Sequence, residues 1–423
     1  MIHTESSIYK KTVLPSGLKI ITESIPHVRS VSLGVWIDVG SRDEKPKSSG
    51  VSHFIEHMVF KGTKSRNAIE IASYLESVGG MLNAFTSREQ TCYYAKFLDD
   101  HMEKAVDILA DLITNAVYIP TDIEKEKKVI LEEISDVEDS PAEIVHDLFA
   151  STIYGDHPLG FPILGQRETV KSMNRSKVLR FANKYYRPNK IIIAACGSLN
   201  HRKLVNLIKK YFNGNMQPGT ANGRKLPSWQ AELKTVKRKS AQAHICMGVP
   251  VPAYSDSNRP ATLLLNAILG SGMSSRLFQH LREELGLVYS VYSYLDYYED
   301  NGTFGVYLAT DKNNVQKAVA AVRKQLDRIA QEPLPKDVLS NIKEQLKGGL
   351  VLGLENMSNR MNRLAKHEFF LERHITLDDT INMINSVTAD QITDVAKTLF
   401  DYNKFSGVTL GPVKGNAFSA LEN

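Results

Sequence analysis

No run of apolar residues in this chain approaches the roughly 18 that a membrane-spanning helix requires. The opening stretch, MIHTESSIYKKTV, has no apolar core of signal-peptide length. Cysteine is scarce: Cys92, Cys196 and Cys246 are odd in number, far apart and without paired spacing. That excludes a disulfide framework and a cysteine metal cluster, and it fits buried free thiols in a reducing compartment. Charge of one sign is also missing. The net charge of +5 is spread along 423 residues with no long basic block, so neither nucleic acid nor a membrane surface is indicated as a partner. The expectation is a soluble, cytoplasmic protein.

What is present begins with length. A chain of this size is too long for one average core and predicts about two to four units. Asn213–Trp229 is rich in Gly, Pro and Asn and has no hydrophobic period, and it falls near the middle. Before it the order is a hairpin turning at Pro15-Ser16-Gly17, a strand at Ser32–Val39, two helices closed by Gly79-Gly80, and two strands at Met81–Thr86 and Thr91–Phe97. A long helix and a proline-led helix, Thr121–Glu138, follow. After it the same order returns: strand, two helices, a glycine, two strands, a long helix and a proline-led helix. A repeat of this length implies two copies of one domain. Because the strands arrive in adjacent pairs among helices, the fold class is α+β, each domain a largely antiparallel sheet packed with helices. The boundaries read as 1–213, a linker at 214–232, and 233–423.

One stretch of the first copy carries chemistry. Val51–Thr63 reads VSHFIEHMVFKGT, which holds His53, Glu56 and His57 in the order H-x-x-E-H. On a helix, positions i and i+4 share a face, so two imidazoles can grip one metal ion. Glu56, one residue before the second histidine, can reach the remaining coordination position. Fixed ligands, an open site for water and a base beside it are what zinc-assisted hydrolysis needs. The order is that of the inverted zincin motif. Where this motif sits in the first copy, the second reads LLLNAILG at Leu263–Gly270, with no histidine.

A catalytic zinc needs a third protein ligand. On the proline-led helix, Glu126 and Glu133 are two turns apart and share a face beside the apolar stripe Ile123, Val129, Ile130 and Ile134. Either could be a ligand or an orienting group. Glu124 and Glu132 read as a solvated face. Aligning Pro120 with Pro335 sets Glu133 against Gly348, so only the first copy is equipped for a metal.

Four stretches together resemble the pitrilysin family, which includes insulin-degrading enzymes and mitochondrial processing peptidases. They are HFIEHMVFKGT (His53–Thr63), LNAFTSREQT (Leu82–Thr91), IEKEKKVILEEI (Ile123–Ile134) and SSRLFQHLREELGLVYSVYS (Ser274–Ser293). The chain is most similar to the short bacterial members of the processing-peptidase branch, over essentially its whole length. The resemblance implies that Glu133, 76 residues beyond His57, is the third ligand of one Zn²⁺, and that Glu126 supports it. It implies that Asn83 and Ala84 lie on an edge strand that pairs with extended peptide. It also implies that Arg282 and Tyr289, from the second copy, bind the substrate carbonyl and stabilise its oxyanion. The function so implied is a zinc metalloendopeptidase acting on peptides or short unfolded segments, with Glu56 as general base. A dimer is implied as well, in its simplest form a homodimer in which Arg282 and Tyr289 face the partner's zinc across a cavity. The alternative is a non-catalytic or partner-dependent subunit of a heterodimeric processing peptidase, since some members have lost the metal. The presence here of His53, Glu56, His57 and Glu133 argues against loss.

Gly270-Ser271-Gly272 is not followed by the Lys-Ser/Thr of a phosphate loop and reads as a flexible loop. His157 and Cys92 read as structural.

Overall fold

The computed structural model describes residues 8–212, 218–229, 231–413 and 415–422. Two compact units result. The first comprises Met1–Ile134, Phe161–Arg224 and Leu352–His374, and the second Ser135–Gly160, Lys225–Val351 and Ile375–Asn423. Within the expected linker, residues 214–217 and 230 lie outside the described residues, and 218–229 form neither helix nor strand.

In the first unit the strands are β1 (Ile8–Val13), β2 (Lys19–Ser24), β3 (Ser30–Ile37), β4 (Met81–Thr86), β5 (Thr91–Leu98) and β6 (Ile191–Gly197), in the sheet order β1-β2-β6-β3-β5-β4. Among these pairings only β2 with β6 is parallel. In the second unit β7 (Leu233–Lys237), β8 (Ala243–Val251), β9 (Val288–Tyr297), β10 (Gly302–Thr310) and β11 (Ser406–Gly411) form the order β7-β11-β8-β10-β9. Here only β7 with β11 is parallel. Remove β1 and the two orders superpose strand for strand, so the repeat read from the sequence is a repeat of topology. The fold class is α+β with two largely antiparallel sheets, and β4 and β9 are equivalent edge strands.

The compact units are not the contiguous segments 1–213 and 233–423. The sequence IIIAACG of β6 is buried at every position. Ile191, Ile193 and Ala195 enter one core, and Ile192, Ala194 and Cys196 enter another on the opposite face. A strand buried on both sides needs two covering layers. On the second face the cover is the helix Met357–Leu371, through Met357, Met361 and Leu364. That helix comes from the second half of the sequence. In the second unit, reciprocally, the face bearing Cys246, Tyr307, Val408 and Leu410 is covered by Val145, Phe149 and Ile153 of the helix Pro141–Tyr154, from the first half. Each half of the sequence therefore contributes one helix to the other unit. Alternation within β6 could have signalled two buried faces, but nothing local names the helix that covers the second.

The helix carrying the H-x-x-E-H motif spans Val51–Val59. Val51, Phe54, Ile55, Met58 and Val59 all enter the first core. This is the i, i+3, i+4, i+7, i+8 stripe of an amphipathic helix, and it leaves His53, Glu56 and His57 on the face turned from that core. The helix starts at Gly50, whose φ of 88° and whose close approach to Leu164 O and Gly165 Cα exclude a side chain. Glycine offers no capping side chain. The first N–H groups are met instead by Glu44, whose carboxylate accepts from Gly50 N at 2.6 Å and from Ser52 N at 2.7 Å. Among the described residues, no helix is long and apolar enough to cross a membrane.

Glu44→Ala strands these buried donors and is expected to lower the unfolding free energy by about 1–3 kcal/mol in a urea titration. Glu44→Gln, which keeps one acceptor, is expected to lose less.

Candidate metal and catalytic site

His53 is buried and His57 half-buried on the motif helix, and their rings lie 4.4 Å apart between centroids. The second helix of the site, Pro120–Asp139, begins with proline at its first position and buries Ile123, Ile130 and Ile134. Val129, read from the sequence as part of that stripe, is instead 49% exposed. Its stripe position is taken by Glu126, which is buried three residues after Ile123. Glu133 follows Ile130 by the same three residues, so both carboxylates flank the apolar stripe and project toward the motif helix.

Glu133 Oε2 lies 3.8 Å from His53 Nε2 and 3.7 Å from His57 Nε2. Both separations exceed a hydrogen bond. They are close to the roughly 3.4 Å that separates two ligands each about 2.1 Å from one tetrahedral ion. One ligand atom from each of the three residues lies within 4.8 Å of the others, so His53, His57 and Glu133 could hold a metal ion. Two imidazole nitrogens and a carboxylate oxygen form a donor set suited to zinc.

The surrounding charges favour ligand-competent forms. Burial, with His57 beside it, pushes His53 down to about 3, so its ring is neutral at physiological pH. Glu126 directs Oε1 to His57 Nδ1 at 2.8 Å and Oε2 to Lys61 Nζ at 2.7 Å. Burial alone would raise the Glu126 carboxyl, but hydrogen bonds from His57 and Lys61 outweigh it and hold the group below the usual carboxylate range. With its hydrogen on Nδ1, directed to Glu126, His57 turns the Nε2 lone pair toward His53 and Glu133. Glu126 thus stands outside the group of three and orients one of its members.

Glu56 accepts a short hydrogen bond from the Thr86 hydroxyl on β4. Burial raises the Glu56 carboxyl, and the Thr86 bond partly opposes the rise. The place of Glu56 on the same helix face as the two imidazoles would let it exchange a proton with a water bound beside them. Among the described residues β4 has a neighbour on one side only, β5, so its other edge is open to pairing. Asn83 is exposed and accepts from Ala84 N through its own side chain at 2.8 Å.

Arg282 and Tyr289 lie in the second unit. Within Ser275–Glu284, which the sequence reads as an ordinary helix, Phe278–Glu284 is wound as a π-helix, and such wide turns are frequent at functional positions. Arg282 stacks over the Phe278 ring at 4.9 Å and the Tyr289 ring at 5.2 Å. Tyr289, on edge strand β9, is 70% exposed. Gly270 packs against Ser293 of β9, where a Cβ would meet the backbone nitrogen, so it serves close packing and not a phosphate. Cys92 is buried, and Glu124 is exposed and paired with Lys127.

Sequence reasoning missed Lys61, Thr86 and Glu44. Lys61 follows His57 by four residues, and Thr86 lies two beyond Ala84 in the same strand, so spacing could have drawn attention to both.

Residues 19–167 match the family described as insulinase (peptidase family M16), and residues 172–346 match the peptidase M16 inactive domain. The chain belongs to the insulinase family, M16. Among M16 relatives, an uncharacterized zinc protease of Streptomyces coelicolor is 40% identical over 98% of this chain and 92% of its own length. The uncharacterized zinc protease YmxG of Bacillus subtilis is 41% identical over 92% and 95%. These M16 relatives support peptidase activity and zinc. Among solved structures, a protease from Helicobacter pylori superposes with a TM-score of 0.89 at 23% identity, covering 96% of this chain and 100% of that one. A peptidase M16 inactive domain from Pseudomonas fluorescens gives 0.90 at 18% identity over 96% and 99%. A chain of Complex III2 from Candida albicans gives 0.85 at 21% identity over 97% and 99%. These likenesses show the M16 fold.

Since the Thr86 hydroxyl favours the ionised form of Glu56, Thr86→Val is expected to move the Glu56 carboxyl further up. A carboxyl ¹³C titration of metal-free protein checks the direction, and an unchanged or lower pKa would contradict it.

Proposed function

We propose that this chain is a zinc metalloendopeptidase that hydrolyses peptides or short unfolded segments. The observation that carries the reading is the convergence of His53, His57 and Glu133 to within 4.8 Å, with Glu56 on the same helix face. His53 Nε2, His57 Nε2 and Glu133 Oε2 would hold one Zn²⁺ per chain. When bound, zinc supplies Lewis-acid activation of water and polarisation of the scissile carbonyl. Glu56 takes the proton of the attacking water and returns it to the leaving amine. Thr86 holds Glu56, and Glu126 holds His57. Asn83 and Ala84, on the open edge of β4, bind extended peptide by strand addition. Arg282 and Tyr289 receive the substrate carbonyl and stabilise developing negative charge.

Among the described residues the second unit has no counterpart of the three-residue group, and its edge strand carries Tyr289. On this reading the working enzyme is a dimer, in its simplest form a homodimer in which Arg282 and Tyr289 of one copy serve the zinc site of the other. The reading rests on family resemblance and on the exposure of Tyr289. A non-catalytic or partner-dependent subunit is the competing reading. The retained ligand set weighs against it.

Hydrolysis of a quenched fluorescent peptide by purified protein decides between them. Activity is expected to vanish with a chelator and to return with zinc. Glu56→Gln is expected to lose roughly 10²–10⁴-fold in kcat while keeping about one zinc per chain, and Glu133→Gln is expected to lose the zinc itself. Zinc bound without activity in the parent would favour the partner-dependent subunit. No zinc and no activity would favour the non-catalytic one.

Sedimentation across a concentration series tests the dimer. Specific activity is expected to fall as dimer dissociates, and a strictly monomeric protein with full activity would overturn the shared-site arrangement.

A further inference from the structure

We infer that Lys61 is a positioning residue for the metal ligand His57, acting through Glu126. The inference rests on the zinc reading above and deepens it. Glu126 is 3% exposed, and its two oxygens have different partners: Oε1 meets His57 Nδ1 at 2.8 Å and Oε2 meets Lys61 Nζ at 2.7 Å. A buried carboxylate with one oxygen on a cation and the other on an imidazole N–H has little freedom to turn.

The backbone explains why Lys61 arrives there. The motif helix ends at Val59, and its last turn tightens, with Phe60 N donating to His57 O at 3.3 Å and Lys61 N to Met58 O at 3.1 Å. This keeps Lys61 beside His57 instead of letting the chain depart. The motif strand of sequence therefore touches Glu126 twice, once through the ligand and once through the ammonium. His57, Glu126 and Lys61 close a ring that spans the motif helix and Pro120–Asp139, the helix that also carries Glu133.

The consequence is chemical. A carboxylate on Nδ1 fixes the tautomer in which Nε2 is a free lone pair, and it makes that nitrogen a better donor to a metal. Removing the ammonium leaves Oε2 without its cation. The carboxylate is then drawn toward water or a proton, and the anchor on His57 weakens. Neither His57 nor Glu126 need be altered for the metal site to soften.

The test is zinc affinity measured by chelator competition on metal-free protein, for the parent, Lys61→Met, Lys61→Gln and Lys61→Arg. Both neutral variants are expected to bind zinc roughly 10–100-fold more weakly, the range seen when partners of metal ligands are lost, and Lys61→Arg is expected to recover most of the affinity. In a Glu126→Gln background, Lys61→Met is expected to cost little more, because the route through Glu126 is already cut. A parent that binds zinc tightly, with either folded neutral variant binding equally well, overturns the role of Lys61. Additive losses in the double variant overturn the route through Glu126. A parent that binds no zinc instead overturns the zinc reading itself. Unfolding curves of the metal-free variants identify any that fail to fold, and the remaining neutral variant then carries the comparison.

Discussion

Everything at the site depends on one helix of nine residues being held by its apolar face. Val51, Phe54, Ile55, Met58 and Val59 are almost fully buried, and each large side chain so placed contributes about 1.5–3 kcal/mol of transfer free energy. Their spacing allows one rotation of the helix about its axis. In that rotation His53, Glu56 and His57 face away from the core and toward β4 and the helix Pro120–Asp139. A slip of one position would bury a carboxylate without a partner and expose a phenylalanine. The chemistry is therefore oriented by hydrophobic packing, and the polar contacts refine what packing has already aimed.

Three of those contacts divide the labour. Glu44 meets the N–H groups at the start of the helix, Thr86 fixes Glu56 from the neighbouring strand, and Glu126 fixes His57 from the neighbouring helix. They come from separate elements and act on separate residues. Glu56 and His57 can thus be disturbed independently, although they are adjacent in sequence. The link through Thr86 also ties Glu56 to β4, the edge strand of its sheet among the described residues.

Periodicity made much of this legible. The motif, the glutamates two turns apart, the alternating strands and the halves in matching order all express short-range spacing, and short-range spacing is what a sequence displays. Val129 reads as part of the stripe because an apolar residue beside Ile130 fits it as well as Glu126 does until the motif helix supplies an imidazole and the turn after it a cation. The π-winding at Phe278–Glu284 escaped because an apolar period cannot distinguish one extra residue in a turn. Lys61 and Thr86 escaped because their partners, Glu126 and Glu56, are distant in sequence, and spacing alone does not name a partner. The crossing of Pro141–Tyr154 and Met357–Leu371 into the opposite units escaped for the same reason. A helix shows that it has an apolar face without showing which sheet will cover it.

That crossing bears on how the molecule is made. A chain emerging from its N-terminus can complete β1 to β6 by residue 197, yet the outer face of that sheet stays bare until Met357–Leu371 follows. Meanwhile Pro141–Tyr154 waits with its own apolar face uncovered for strands not yet synthesised. Each half can build the core on one face of its sheet from its own residues, but the core on the other face needs a helix from the opposite half, and many of those contacts join residues far apart in sequence. Loop closure must come before those contacts can stabilise anything, so folding belongs late in synthesis or after it. Apolar surface is exposed in the interval, which is when an aggregation-suppressing chaperone would matter most. Cutting the chain at its central linker would leave two fragments, each lacking the lid of its own sheet and each carrying the other's.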